Sequence, residues 1–181
     1  MSKVLIPLAD GFEICEAMMP VDLLRRAGID VQTFSIGDSL NVRSNNGVTV
    51  IADCLAGNVD FDSADALLLP GGMPGATNLA ASAIISKQCR RFADNRLLAA
   101  ICASPEVVLS PLGLLEGRRA TAYPGFAEKM NCLKATGTKV VVDGNIITGQ
   151  APGAAEDFAF AVISFLEGQD AVEKVKKSIV Y

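Results

Sequence analysis

The 181-residue chain contains no histidine and no tryptophan. Without imidazole it lacks the commonest metal ligand and the usual general base near neutral pH, so catalysis would have to use carboxylates, thiols, Tyr, Lys or backbone amides. CxxC pairs are missing too. The cysteines Cys15, Cys54, Cys89, Cys102 and Cys132 are odd in number and widely spaced, which suits neither a disulfide framework nor a zinc site and points to a reducing compartment. No run approaches the roughly 20 apolar residues of a membrane span, and the apolar run after Met1-Ser2-Lys3 is too short for a signal sequence. A cytoplasmic chain with no membrane partner is expected. Basic residues cluster only as Arg25/Arg26, Arg90/Arg91, Arg118/Arg119 and Lys176/Lys177, and the formal net charge is −4. With no extended basic field, nucleic acid is not an expected partner.

Half of the residues are hydrophobic, enough for one core, so residues 1–181 are read as a single domain. Apolar runs at Lys3–Leu8, Ile29–Ile36, Ala66–Leu69 and Leu97–Ile101 predict strands, with a further short strand at Val48–Ile51. Ala66–Leu69 is apolar throughout and stopped by Pro70, the pattern of a central parallel strand buried on both faces. Helical spacing is read over Glu13–Ala27, ending at Gly28, and over Ala83–Ala93, Pro105–Leu115 with a kink near Pro111, Ala154–Glu167 and Ala171–Lys177. Weaker strands are expected at Arg119–Ala122, Lys139–Val142 and Asn145–Thr148, the last two joined by the Asp143-Gly144 turn signal. Alternating strands and helices predict an α/β, flavodoxin-like three-layer sandwich, a mostly parallel sheet with helices on both faces. Ligands are then expected beyond the carboxyl ends of the strands.

Three segments meet that expectation. Leu97–Ile101 runs directly into Cys102, Ala103, Ser104 and Pro105, so Cys102 falls where a buried strand turns into a helix, the setting of a nucleophile elbow. Helix N-terminal amides would favour its thiolate, although a free cysteine is equally often a small buried hydrophobe. Position alone leaves both readings open. Leu69-Pro70-Gly71-Gly72 ends the neighbouring strand and could supply amide donors from Gly71 and Gly72 beside that of Ala103, or be an ordinary turn. Asp10-Gly11 ends the first strand and leads to Glu16 in the first turns of a helix, where a carboxylate can also simply complement the helix dipole. No GxGxxG fingerprint is present, which weakens a dinucleotide reading.

The chain resembles the ThiJ/PfpI superfamily, in the branch of the Parkinsonism-associated protein deglycase and bacterial YajL. The resemblance runs through Gly11 to Glu16, Pro20 to Ile29, Leu69-Pro70-Gly71-Gly72, Ala99 to Pro105 and Pro152-Gly153. It implies that Cys102 is a reactive, oxidation-prone cysteine, that Glu16 is a protonated acid bonded to it, and that Gly72 and Ala103 are backbone donors. It also implies a homodimer. With neither histidine nor a CxxC pair, no metal is expected, and no cofactor is expected either. Relatives are reported as glyoxalases, deglycases, redox sensors and chaperones, so the expected partner is a small aldehyde or a glycated protein. Two positions depart from other members. Tyr123 stands where many carry a histidine, and Ala103 stands where the protease branch carries the histidine of its Cys-His pair, so peptidase activity is not expected.

Overall fold

A computed structural model describes residues 1–181. Four parallel strands, β1 (Lys3–Leu8), β2 (Asp30–Ser35), β6 (Ala66–Leu69) and β7 (Leu97–Ile101), form the middle of its main sheet. At one edge lies β5 (Cys54–Leu55). At the other, β10 (Val140–Asp143) and β11 (Ile146–Gly149) form an antiparallel hairpin whose β11 runs parallel to β7. The seven strands stand in the order β10-β11-β7-β6-β1-β2-β5.

Alternation along the inner strands explains the three layers. Val4, Ile6, Leu8, Ala66, Leu68, Leu97, Ala99 and Ile101 belong to one buried cluster, with Leu23 and Leu24 of α1 (Ile14–Arg26) and Phe158, Val162 and Ile163 of α4 (Ala155–Glu167). Leu5, Leu67, Leu69, Leu98 and Ala100 belong to the other, with Leu79 of α2 (Gly75–Ala81) and Ile85, Cys89 and Phe92 of α3 (Ala83–Asn95). Each large apolar side chain among them contributes roughly 1.5–3 kcal/mol when fully buried. A helix α5 (Gln169–Ile179) packs on α4. This is the expected flavodoxin-like α/β fold. No helix is long and apolar enough to cross a membrane.

Local caps follow the sequence closely. Glu13 caps α1 by accepting the Glu16 N–H, and Gly28 just beyond its C-cap has φ +80°. Ser82 caps α3 by accepting the Ile85 N–H.

Three expectations need correction. The helix over Pro105–Leu115 is instead a π-helical turn, Pro105–Leu109, followed by a 3-10 turn, Ser110–Leu112, that stops at Gly113 with φ +75°. Pro111 lacks the amide that would continue an α-helix there, and the left-handed glycine ends it. The strand at Val48–Ile51 is β4 (Thr49–Ile51), which pairs with β3 (Asn41–Arg43) as a separate hairpin outside the main sheet. Arg119–Ala122 narrows to β8 (Arg119–Ala120), paired only with the exposed β9 (Lys134–Ala135). Val48 and Ile51 are exposed rather than packed under the helices, and Thr121 and Ala122, although buried, have no strand partner.

Candidate active site

The strands β1, β6 and β7 lie side by side, so the loops after Leu8, Leu69 and Ile101 meet at one sheet edge. They interlock by main chain. The Glu13 N–H donates to the Gly71 carbonyl at 2.9 Å, and the buried Ser104 hydroxyl donates to the Pro70 carbonyl at 2.6 Å. Gly71 and Gly72 are required by contact. A Cβ on Gly71 would stand 2.7 Å from both Cys102 Cβ and Glu16 Oε2, and one on Gly72, where φ is +86°, would strike the Phe12-Glu13 backbone.

Cys102 itself has φ +67°, in the left-handed region that non-glycine residues rarely occupy. Two hydrogen bonds hold it there: its N–H donates to the Gly149 carbonyl at 3.0 Å, and its carbonyl accepts the Tyr123 N–H at 2.9 Å. A conformation costing on the order of 1–3 kcal/mol is thus stabilised by flanking segments and points the thiol off the sheet edge. The residue is 8% exposed.

Glu16 is fully buried, and its Oε2 accepts the Gly71 N–H at 2.9 Å. Oε1 has no hydrogen-bond partner, and the thiol that acts on the carboxyl's titration is that of Cys102. Burial raises the Glu16 pKa to about 7, with the nearby Glu13 charge adding and the bonds from Cys102 and Gly71 opposing. Burial likewise pushes the thiol up to about 12, the Glu16 charge and hydrogen bond adding to it and the Gly72 and Ala103 amides opposing. The expected lowering by a helix dipole is not found. The short π turn supplies no long macrodipole, and the two amides that face the sulfur are outweighed by desolvation and the carboxylate. Both values belong to one pair. The first ionisation, at about 7, falls on Glu16, and it is the second, placing two charges in one buried spot, that is driven so high.

Above the pair opens a pocket of about 240 Å³, lined by Glu13, Asn45, Gly72, Met73, Cys102, Ala103, Tyr123, Phe126 and Pro152. Four of the six residues singled out in the sequence, Cys102, Gly72, Ala103 and Tyr123, form part of this lining. Glu16 and Gly71 lie behind it, against the sulfur's carbon. Tyr123 is 45% exposed, so its ring stands at the open side. Sequence reasoning missed Glu13, Asn45, Met73 and Phe126. Only Glu13 carried a signal, its place at the N-cap of α1, from which its side chain must turn toward the same loop edge.

Residues 2–165 match the DJ-1/PfpI family. The chain belongs to that family. Its sequence is 37% identical over 180 residues to "Protein DJ-1 homolog B" of Arabidopsis thaliana, covering 98% of this chain but 41% of that protein. It is 36% identical over 155 residues to a deglycase of Pyrococcus abyssi, covering 83% of this chain and 91% of the relative. The chain spans less than half the length of its two Arabidopsis relatives. Among solved structures, oxidized Toxoplasma gondii DJ-1 superposes with a TM-score of 0.96 at 37% identity, covering 100% of this chain and 99% of that one. Drosophila melanogaster DJ-1beta superposes at 0.94 with 33% identity, covering 99% and 98%. The DJ-1/PfpI fold therefore extends over the whole chain, elbow included.

Proposed function

We propose that this protein acts on methylglyoxal-type α-oxoaldehydes, or on their early adducts with proteins, through a Cys102–Glu16 pair. The observation that carries the reading is a thiol set beside a buried acid under an open pocket, the two so close that both would crowd a methyl on Gly71. Kinship with a protein named as a deglycase supports it.

The chemistry balances without a cofactor. The Glu16 carboxylate takes the Cys102 proton as the sulfur adds to the aldehyde carbon, and the new oxyanion takes hydrogen bonds from the Gly72 and Ala103 amides and then that proton back from Glu16. The Glu16 carboxylate next removes the proton from that carbon and returns it at the neighbouring carbonyl carbon, while the hydroxyl proton of the first carbon passes to the neighbouring oxygen, converting the hemithioacetal through an enediol to a thioester. Water then cleaves the thioester, giving a 2-hydroxy acid and regenerating the thiol. For a protein adduct, the amine leaves before the same sequence begins. Tyr123, in place of the imidazole of other members, borders the pocket but leaves proton transfer to Glu16.

The test is methylglyoxal turnover by the wild type beside Cys102→Ser. Turnover above background that disappears in the variant supports the enzyme, and equal rates refute it. A second reading is favoured by the solved relative described as oxidized: Cys102 as a peroxide sensor, its thiolate oxidised to sulfenic and then sulfinic acid while peroxide is reduced to water, with a change in partner binding or chaperone action. In either reading we take the working form as a cytoplasmic homodimer; a monomer mass in sedimentation at micromolar concentration would remove that element.

A further inference from the structure

The Cys102 pocket is electrically one-sided. Glu13 is the only acidic residue in its lining, and no Lys or Arg is present there. Glu13 is also fixed. It is 8% exposed, its N–H is bonded to the Gly71 carbonyl, and its Oε2 accepts the Glu16 N–H at 2.8 Å. None of the ion pairs in the structure includes it. The exposed Lys129 borders the lining, its Nζ 5.9 Å from the centre of the Phe126 ring, and pairs with no acid. Glu13 therefore charges the pocket without an ion-pair partner, in a concave, partly apolar space where screening is weaker than on an open surface. Asn45, exposed in the turn of the β3–β4 hairpin, lines the same pocket and is uncharged.

We propose that Glu13 makes this pocket selective by charge, admitting neutral and cationic carbonyl compounds to Cys102 and turning away α-oxo carboxylates. As a statement about substrates this rests on the enzyme reading above; as a statement about access to the sulfur it does not. Methylglyoxal carries no charge, and its adducts on lysine or arginine sit beside cationic groups, so both fit. Glyoxylate, of similar size, brings a carboxylate against Glu13. A unit charge held within several ångströms of it should change the rate of reaction at the sulfur by roughly tenfold.

The experiment uses three methanethiosulfonates that differ only in the transferred group: neutral methyl, cationic 2-aminoethyl and anionic 2-sulfonatoethyl. In each the Cys102 thiolate forms the new S–S bond and methanesulfinate leaves, so the ratio of cationic to anionic rates is independent of how much thiolate is present. Rates are followed at the Cys102 peptide by mass spectrometry, with 2-mercaptoethanol as the free-thiol reference. The wild-type ratio should exceed the reference by about tenfold. Glu13→Gln keeps an oxygen to cap α1 and should bring the ratio to the reference, whereas Asn45→Lys, in an exposed turn, should lower it with Glu13 still in place. Ratios equal in the wild type and Glu13→Gln overturn the proposal. If Glu13→Gln does not fold, a wild-type ratio unmoved by both Asn45→Lys and high salt does the same. In turnover, Glu13→Gln should raise kcat/KM for glyoxylate relative to methylglyoxal. Absent turnover with an intact reagent ratio refutes the enzyme and leaves the charge filter standing.

Discussion

Replacing Glu16 with glutamine should make the protein more stable at neutral pH while disarming its chemistry. Glu16 titrates at about 7 in the folded chain against an ordinary 4.5. At about 1.4 kcal/mol per pKa unit, the difference corresponds to about 3 kcal/mol. Its sign follows from proton counting. Between those two values the folded state keeps the Glu16 proton and the unfolded state has lost it, so stability falls as pH rises. The contribution is whole below about pH 4.5 and gone above about 7. The amide of the Glu16→Gln variant would bind no proton in either state, and it can still accept from the Gly71 N–H while offering an N–H to the sulfur. Urea denaturation of the wild type and Glu16→Gln from about pH 4 to about pH 8 provides the assay, stopping short of the range where unfolded thiols ionise. Contributions from groups that the substitution leaves unperturbed cancel in the difference between the two proteins. The variant should match the wild type within ~1 kcal/mol at about pH 4 and exceed it by about 2–3 kcal/mol at about pH 8. A difference that stays flat with pH would mean that burial does not raise this carboxyl, and the coupling of Glu16 to Cys102 would fall with it.

Gly71→Ala places a methyl against Cys102 Cβ, Glu16 Oε2 and the Ile101 carbonyl at 2.7–2.8 Å, and should destabilise by about 1–3 kcal/mol. Gly57→Ala, which meets nothing within 4 Å, is the control, and equal midpoints in urea for the two would refute the packing argument. Limiting peroxide should oxidise Cys102 before Cys89, which is fully buried and pushed to about 12 with no acid partner beside it. Peptide mapping that finds Cys89 or Cys54 modified first would remove the assignment of Cys102 as the reactive thiol.

Strands buried on both faces were the most legible part of the chain. Lys3–Leu8, Ala66–Leu69 and Leu97–Ile101 agree with the structure to the residue, because each is an apolar run with a polar or turn-forming residue close by its end. Cys102, Gly71, Gly72 and Ala103 could be placed by the same logic, as the residues that follow those strands. The helix α2 was not legible, since Gly75, Thr77 and Asn78 read as loop and only packing against the sheet makes them helical. Edge strand β5 is two residues long, and the β3–β4 hairpin brings Asn45 to the pocket from beyond β2, a juxtaposition that no local pattern encodes. The direction of the thiol shift also escaped. It depends on how deeply sulfur and carboxyl are buried together, which spacing does not reveal.

The β3–β4 hairpin offers main-chain atoms to the loop before α1, one of them the Arg43 N–H that donates to Asp10 Oδ1 at 2.8 Å. The Gly11 N–H donates to the Arg43 carbonyl at 2.7 Å, the Asn45 N–H to the Phe12 carbonyl at 2.9 Å, and Phe12 and Ser44 form a bridge. Backbone bonds are indifferent to which side chains the hairpin carries. The turn at Asn45 and Asn46 can therefore change identity without shifting Glu13 or Glu16, whereas any side chain at Gly71 or Gly72 on the other side of the same loop meets other atoms within 2.8 Å. The pocket is divided into a rim free to vary and a floor that is held by packing, so the lining of its mouth can be exchanged while the acid and the thiol beneath stay in register.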